Sequence, residues 1–362
     1  MGGCRWRGSR RFFLVIPLRT PADAQGPTAI ALGSFDGLHE GHRRVIAAAV
    51  AGSQLVKAAD PAAPALVPTV VSFWPHPREV LFGETRLRLD LPTEKLNLLG
   101  PLGIEQLVLV PFTPALSALT PAAFVEQVLV KQLRASLVVV GENFRFGAGR
   151  SGDTTSLSQL AAAHGVAVQV LPMLEDGGQR LSSSRIRHSL AAADLGEAAR
   201  LLGRPYRFCG RVVQGRGLGR TLGWPTANLQ VDGRKFLPME GVYAARVWLL
   251  DQEHPRRGGN APAEVLPAVM NLGPQPTVDP AAPSAVEVHL LNRRLELVGR
   301  ELVVEPVALL RRQQRFADLQ ALVVQISADA ARAQQLLGSG GGIGVAESPA
   351  DEGSDGPQQQ NP

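Results

Sequence analysis

One stretch constrains this chain more than any other: an apolar run that stops at a glycine turn and restarts as a helix. Ala29-Ile30-Ala31-Leu32 has no polar break, the pattern of a strand covered on both faces. Gly33-Ser34-Phe35-Asp36-Gly37 reads as a tight turn, and the periodic segment from His39 to Lys57 reads as a helix. A strand, a turn and a helix N-terminus make a cradle for phosphate, because free backbone N–H groups and the positive end of the helix dipole meet there. His39 and His42 are spaced to share one face of the first helical turn, and Gly41 between them allows close backbone approach. An isolated His-x-x-His pair is usually incidental; the surrounding elements give this one a purpose. Gly33, Phe35, Asp36, Gly41 and the two histidines imply a nucleoside triphosphate that leaves as pyrophosphate.

The same alternation continues downstream. Strands are expected at Thr28–Leu32, Leu66–Phe73, Gln106–Val110, Leu137–Val140 and Ala167–Val170. Helices are expected at Gly41–Ala58, Thr93–Leu99 (opened by Thr93 and Glu94 as a cap), Pro121–Leu133, Ser156–His164 and Ser184–Leu202. Alternating strand and helix predicts an α/β domain over 28–203, a parallel sheet with flanking helices, and ligands outside the carboxyl ends of its strands. Each further motif follows one of those strands. Phe73-Trp74-Pro75-His76-Pro77 presents His76 on a rigid loop, although a proline turn with an incidental His reads equally well. Gly141-Glu142-Asn143-Phe144-Arg145-Phe146-Gly147 offers an amide, a cation and aromatic faces that suit a planar ring, unless it is an ordinary glycine-rich loop. Leu181-Ser182-Ser183-Ser184-Arg185-Ile186-Arg187 opens a helix with hydroxyls and Arg187 one turn in, which suits phosphate; a serine cap with solvated arginines is the bland alternative.

After Gly203-Arg204-Pro205 the pattern changes. Short β-like segments appear at Tyr206–Val213, Gly241–Leu250, Pro267–Asn271, Ala285–Asn292 and Arg300–Leu310, with period-two alternation in Val286, Val288 and Leu290. This predicts a small antiparallel β-barrel over 204–337, with Phe316–Leu337 as helical pieces packed on it. Within it, Gly215, Gly217 and Gly219 free the backbone to wrap a phosphate chain, and Arg220 adds charge. Thr226 and Asn228 point the same way from an extended segment, a pair of hard oxygens that suits Mg²⁺ bound with ATP phosphates. Glu287 and His289 share the face opposite the apolar residues, where a carboxylate can act as general base or simply be a solvated strand face. Asn271–Thr277 reads as a rigid loop beside them.

The four motifs of the first half, G-S-F-D-G-L-H-E-G-H, F-W-P-H-P, G-E-N-F-R-F-G and L-S-S-S-R-I-R, resemble the nucleotidylyltransferase half of bacterial bifunctional riboflavin kinase/FMN adenylyltransferases (FAD synthetases). The glycine-rich run, P-T-A-N and E-V-H-L-L resemble the riboflavin kinase module of the same family. The resemblance implies a Rossmann-like adenylyltransferase domain followed by a barrel kinase, with riboflavin, FMN, FAD and ATP as substrates and products. It implies that His39 and His42 contact ATP phosphates, that Asn143 and its loop hold nucleotide or flavin, and that Ser183, Ser184 and Arg187 grip phosphate. In the barrel it implies Glu287 as base, Thr226 and Asn228 on Mg²⁺, and Gly215–Arg220 over ATP. Two rivals remain open: one half alone is active, or the chain binds flavin without catalysis.

Composition bounds these readings. The chain has 362 residues, 45% hydrophobic, with a net charge of +5, which accommodates phosphorylated ligands. No Lys/Arg run interleaves with aromatics, so nucleic-acid binding has no support. Two cysteines, Cys4 and Cys209, form no metal or disulfide pattern and fit a reducing cytoplasm. No apolar run approaches the ~20 residues of a membrane span. At the N-terminus Arg5, Arg7, Arg10 and Arg11 precede Phe12–Leu18, and Ala22-Asp23-Ala24 resembles a signal-peptidase site. The apolar core is only about seven residues long and holds Pro17, so 1–27 is read as a basic leader with a first strand at Phe12–Ile16. The stretch 338–362 is rich in Gly, Ser, Pro, Gln and acid and reads as a disordered tail. Oligomeric state is not written in any of these features.

Overall fold

The computed structural model describes residues 16–59, 62, 64–84, 86–215, 219, 222–250, 264–273 and 286–338. The basic leader, residues 12–15 of the expected first strand, and the tail beyond 338 lie outside them.

The first half is a six-stranded parallel sheet in the order β1-β4-β3-β2-β5-β6. Its strands are β1 (Leu18–Arg19), β2 (Thr28–Leu32), β3 (Val67–Trp74), β4 (Gln106–Pro111), β5 (Ala135–Gly141) and β6 (Ala167–Leu171). The helices between them are α1 (Glu40–Ala59), α2 (Pro77–Phe82), α3 (Pro92–Leu99), α4 (Pro114–Ser117), α5 (Pro121–Phe124, continuing as a π-helical stretch Val125–Gln132) and α6 (Thr154–Ala162). All five residues of β2 are buried. Ala31, Val70, Leu107 and Val139 are in register across four strands and pack on one face with Ile46 of α1 and Leu99 of α3. Ile30, Leu32, Val71, Val108, Val138 and Val140 face the other way, against Phe124, Val128, Leu129 and Leu157. Both faces are therefore covered, which is why these strands read as continuous apolar runs.

Three expectations need correction here. The described first strand is Leu18–Arg19, pairing with β4, and Ile16 precedes it as buried coil. Helix α3 starts at Pro92 with Leu91 as its cap, so Thr93 does not cap it; Glu94 instead reaches back to accept from Leu91 N at 2.9 Å. The expected helix Ser184–Leu202 is two helices, α7 (Ser183–Ala191) and α8 (Leu195–Leu202). Ala193 breaks it at φ 58°, and Asp194 caps α8 by accepting from Glu197 N at 2.9 Å. A short hairpin, β7 (Glu175–Asp176) and β8 (Gln179–Arg180), precedes α7.

The second half closes into a barrel, β10-β13-β12-β11-β14-β9, with β9 (Phe208–Val213), β10 (Ala227–Gln230), β11 (Gly241–Leu250), β12 (Leu266–Leu272), β13 (Val286–Leu290) and β14 (Glu301–Arg311). Closure pairs β9 with β10 and leaves no free edge. Alternate residues such as Met270, Tyr243, Val288 and Val304 fill the interior. Helix α9 (Leu319–Gly338) lies outside on Val242 and Ala244 through Ala330 and Ala333, and Arg311 Nε donates to its buried Asp329 at 2.9 Å. Leu190, Leu201 and Leu202 of α7 and α8 belong to the same apolar cluster as the barrel interior. Among the described residues no helix is long and apolar enough to cross a membrane.

Candidate active sites

The chain runs outward from β2 through β3 to β4, then returns to β5 beside β2. The strand order therefore reverses between β2 and β5, and the loops leaving their carboxyl ends flank a ligand crevice. The β2 loop is the Gly33–Leu38 turn. It is pinned from several sides: Gly33 N donates to Val71 O at 3.1 Å, and Lys95 Nζ and Ser72 Oγ donate to Ser34 O at 2.9 and 3.3 Å. Gly37 has φ 93°, and a Cβ there would stand 2.8 Å from a Leu89 methyl carbon, so both conformation and space call for glycine.

His39 immediately precedes α1 and His42 lies in its first turn, with their rings stacked at 3.7 Å. Phe35 meets His42 edge-on at 5.5 Å, and Gly41 leaves room for the His39 ring. Burial, reinforced by Arg43 and Arg180, pushes the His39 imidazole down to about 4. Burial, then His39, Lys95 and Arg180, pushes His42 well below its ordinary value. Both rings are neutral at pH 7, so each offers one N–H rather than a positive charge. Their Nδ1 atoms are buried without a hydrogen-bond partner, which leaves hydrogen-bonding capacity unspent at the turn. The cations come from neighbours that pattern reading passed over. Arg180 lies on the exposed β8, where its only signal was its place just before L-S-S-S; Lys95 is buried in a helix whose T-E-K run reads as solvated.

Asp36 is held rather than free. Its Oδ1 accepts from Leu89 N and Asp90 N at 2.9 and 3.2 Å, and its Oδ2 pairs with Arg187. Ser183 Oγ donates to Asp36 O at 2.8 Å. Arg187 and Ser183, expected on phosphate, are thus engaged with the turn itself, whereas Ser184 is exposed at the helix start. His76 caps α2: its Nδ1 accepts from Arg78 N at 3.1 Å, and burial, with Arg88 and Arg86 nearby, lowers it to about 4. On the β5 loop, Asn143 and Arg145 are exposed, while Phe144 stacks on the buried Phe146 at 5.7 Å and offers a flat apolar shelf.

The barrel carries the second candidate site. Asn228 of β10 stands directly opposite Glu287 of β13, and Glu287 directly opposite Asn271 of β12. Directly paired residues project to the same side, so the three polar side chains form a row away from the apolar interior. Glu287 is half-buried, flanked by the buried Val286 and Val288. Asn271, expected where the strand Pro267–Asn271 gives way to a loop, lies within β12, and its Oδ1 accepts from Gln313 Nε2 at 2.7 Å; residues 274–277 lie outside the described ones. His289 shares the polar face; its Nδ1 is 2.8 Å from Pro225 O and its ring meets Trp224 edge-on, which fixes the segment leading to Thr226. Gly217 and Arg220 lie outside the described residues. Gly215 and Gly219 pack tightly on that segment: a Cβ would fall 2.0 Å from Asn228 Nδ2 at the first and 2.3 Å from Trp224 O at the second. A cavity of about 240 Å³ lined by Pro225, His289, Asn292, Arg293 and Arg294 opens beside it.

No group of three or more His, Cys, Asp or Glu side chains among the described residues could hold a metal by itself. The donors near Glu287 are a hydroxyl and amide oxygens. That set fits Mg²⁺ only as an ion shared with substrate phosphates, the usual mode for this ion.

Comparison with known proteins assigns each half. Residues 22–185 match the family model described as FAD synthetase, and residues 202–337 the one described as riboflavin kinase. The chain is similar to the bifunctional riboflavin kinase/FMN adenylyltransferase of Escherichia coli (strain K12), 38% identical over 311 residues that cover 85% of this chain and 92% of the relative. It is 31% identical over 313 residues to the protein of that description from Bacillus subtilis (strain 168), with 85% and 92% covered. A solved structure from Streptococcus pneumoniae titled a macrolide-efflux protein superimposes with a TM-score of 0.70 at 26% identity, covering 89% of this chain and 99% of that one.

Proposed function

The chain belongs to the bifunctional riboflavin kinase/FMN adenylyltransferase family, and on that premise we propose how its residues divide the two reactions. The C-terminal half transfers the γ-phosphoryl group of ATP to riboflavin, giving FMN and ADP. The N-terminal half transfers AMP from ATP to FMN, giving FAD and pyrophosphate. We assign 204–337 to the first reaction and 28–203 to the second.

In the kinase half, Glu287 takes the proton of the terminal ribityl hydroxyl as its oxygen attacks the γ-phosphorus. Asn228, directly across from it, and Thr226 would hold Mg²⁺ against the ATP phosphates, where the ion neutralises charge when bound. Gly215, Gly217, Gly219 and Arg220 cover the phosphate chain. In the adenylyltransferase half no side chain acts as nucleophile. An oxygen of the FMN phosphate attacks the α-phosphorus in line, and pyrophosphate departs. Neutral His39 and His42 donate to the phosphates, the α1 N-terminus and Arg180 offset the accumulating charge, and Ser184 and Arg187 bound the pocket. Asn143, Phe144, Arg145 and His76 are assigned to the flavin and adenine. Both reactions draw on ATP, and we place the protein in the cytoplasm.

The observation that carries this reading is the pairing of Glu287 with Asn228 in one half of a chain whose other half stacks His39 on His42. Incubating the protein with riboflavin, ATP and Mg²⁺ and separating products by chromatography tests it. FMN and FAD should both form. FMN without FAD would leave only the kinase; unchanged riboflavin would remove the kinase assignment, and no FAD from supplied FMN would remove the other.

A further inference from the structure

Three consecutive residues of the barrel half reach into the sheet half. Arg234 lies 4.9 Å over the ring of Trp74, the last residue of β3, just before the loop that carries His76. Phe236 lies 5.6 Å beneath the Arg187 guanidinium. Between them Lys235 is wholly buried; its Nζ donates to Glu94 Oε2, Leu89 O and Arg207 O at 2.7, 2.6 and 2.9 Å. The backbone joins in, with Arg88 N donating to Arg234 O at 2.6 Å and Phe236 N to Arg88 O at 2.8 Å.

What Lys235 grips is what holds the nucleotide turn. Leu89 N and Asp90 N support Asp36, and the Leu89 side chain fills the space that glycine leaves at Gly37. Glu94 and Lys95 are neighbours on α3 with opposite duties. Glu94 accepts from Lys235, and Lys95 donates to Ser34 O inside the turn. Loss of the ammonium would take the donor from two carbonyls, Leu89 O and Arg207 O, and leave the buried Glu94 carboxylate with no cation, only the N–H groups of Leu91 and Cys209, so the segment would shift toward water. The Leu89–Lys95 segment would carry the turn with it.

We propose that Lys235, supplied by the half that phosphorylates riboflavin, is a positioning residue for FMN adenylylation in the other half. The inference rests on the assignment of reactions given above. Its consequence is that the adenylyltransferase site is complete only with the barrel docked.

The test uses full-length Lys235→Met, with adenylylation of supplied FMN and phosphorylation of riboflavin measured separately on one preparation alongside the melting temperature. FAD formation should fall roughly 10–100-fold, mainly in kcat, while riboflavin phosphorylation stays within about twofold. Adding Glu94→Gln should recover part of the lost rate, because the stranded charge is then removed. Parallel loss of both activities would mean that Lys235 only stabilises the chain, and an unchanged FAD rate would mean that it positions nothing; either overturns the proposal. If Lys235→Met does not fold, Arg234→Ala decides. Its guanidinium is partly exposed, and its removal should slow FAD formation and spare FMN formation; an unchanged FAD rate there also overturns the proposal. Wild-type protein that makes no FAD would refute the underlying assignment instead, before any variant is compared.

Discussion

Arg187 and Asp36, far apart in sequence, form an ion pair at the mouth of the first site, and the same guanidinium donates to Leu87 O at 3.1 Å. The pair ties the start of α7 to the turn after β2. If Arg187 acts through Asp36 alone, Arg187→Ala and Asp36→Asn will share one loss of FAD formation, and the double variant will be no worse than either single. If it also grips phosphate, Arg187→Ala will raise the KM for ATP beyond the Asp36→Asn value. Steady-state rates with FMN as acceptor separate the two.

His42→Ala should lower FAD formation by roughly 10²–10³-fold, the scale of removing one donor to developing charge, and leave FMN formation intact. A folded His42→Ala protein that loses both activities would break the division of labour.

The acid limb of stability should carry the signature of neutral imidazoles. His39 and His76 are each lowered from 6.5 to about 4, chiefly by burial. Above 6.5 the folded and unfolded chains are equally unprotonated at these sites, and nothing is gained or lost. Between 6.5 and 4 the unfolded chain binds protons that the folded one refuses, so stability falls with pH; below 4 the loss is complete. For the buried His39 the loss amounts to about 3 kcal/mol; the half-exposed His76 contributes less. Urea denaturation across this range should show the slope, and His39→Asn should flatten it. An unchanged slope in His39→Asn would place the acid sensitivity elsewhere.

Glu287→Gln should slow riboflavin phosphorylation by roughly 10²–10⁴-fold, the usual worth of a general base, while FMN adenylylation continues. Asn228→Ala should raise the Mg²⁺ concentration needed for half-maximal kinase rate without changing that for FAD formation. Equal Mg²⁺ requirements before and after would remove Asn228 from the metal.

Gly219→Ala should cost the kinase more than Gly223→Ala. At Gly219 the added carbon meets the Trp224 carbonyl, which is backbone and cannot step aside; at Gly223 the space is open and only the positive φ of 82° resists. Melting temperatures and the KM for ATP will rank the two, and the reverse order would argue against close packing of the glycine turn on Thr226.

Legibility in the sequence followed burial. Thr28–Leu32 and Gly241–Leu250 were readable to the residue because every position in the first and nearly every one in the second lies against apolar neighbours. The break between α7 and α8 was missed because Ala191-Ala192-Ala193 favours helix; only Asp194 and Glu197, spaced as a cap, marked the restart. The four-residue β10 showed as an extended pair, Thr226 and Asn228, without declaring itself a strand. The strand at Pro267–Asn271 was legible from its apolar alternation, but its pairing with β13, which sets Asn271 opposite Glu287, is a long-range fact that no local pattern carries.

By itself the sequence determined that strands alternate with helices in the first half and give way to short antiparallel strands in the second, and which motifs each half carries, because periodicity, glycine placement and hydrogen-bonding chemistry are local properties. The tertiary structure alone decided that Arg187 meets Asp36, that Lys235 lies beneath Glu94 and Leu89, and that Asn228, Glu287 and Asn271 form one row. A charged side chain carries no local mark of its partner; only when the chain is packed, and the cost of burying an unpaired charge must be offset, does the pairing become definite.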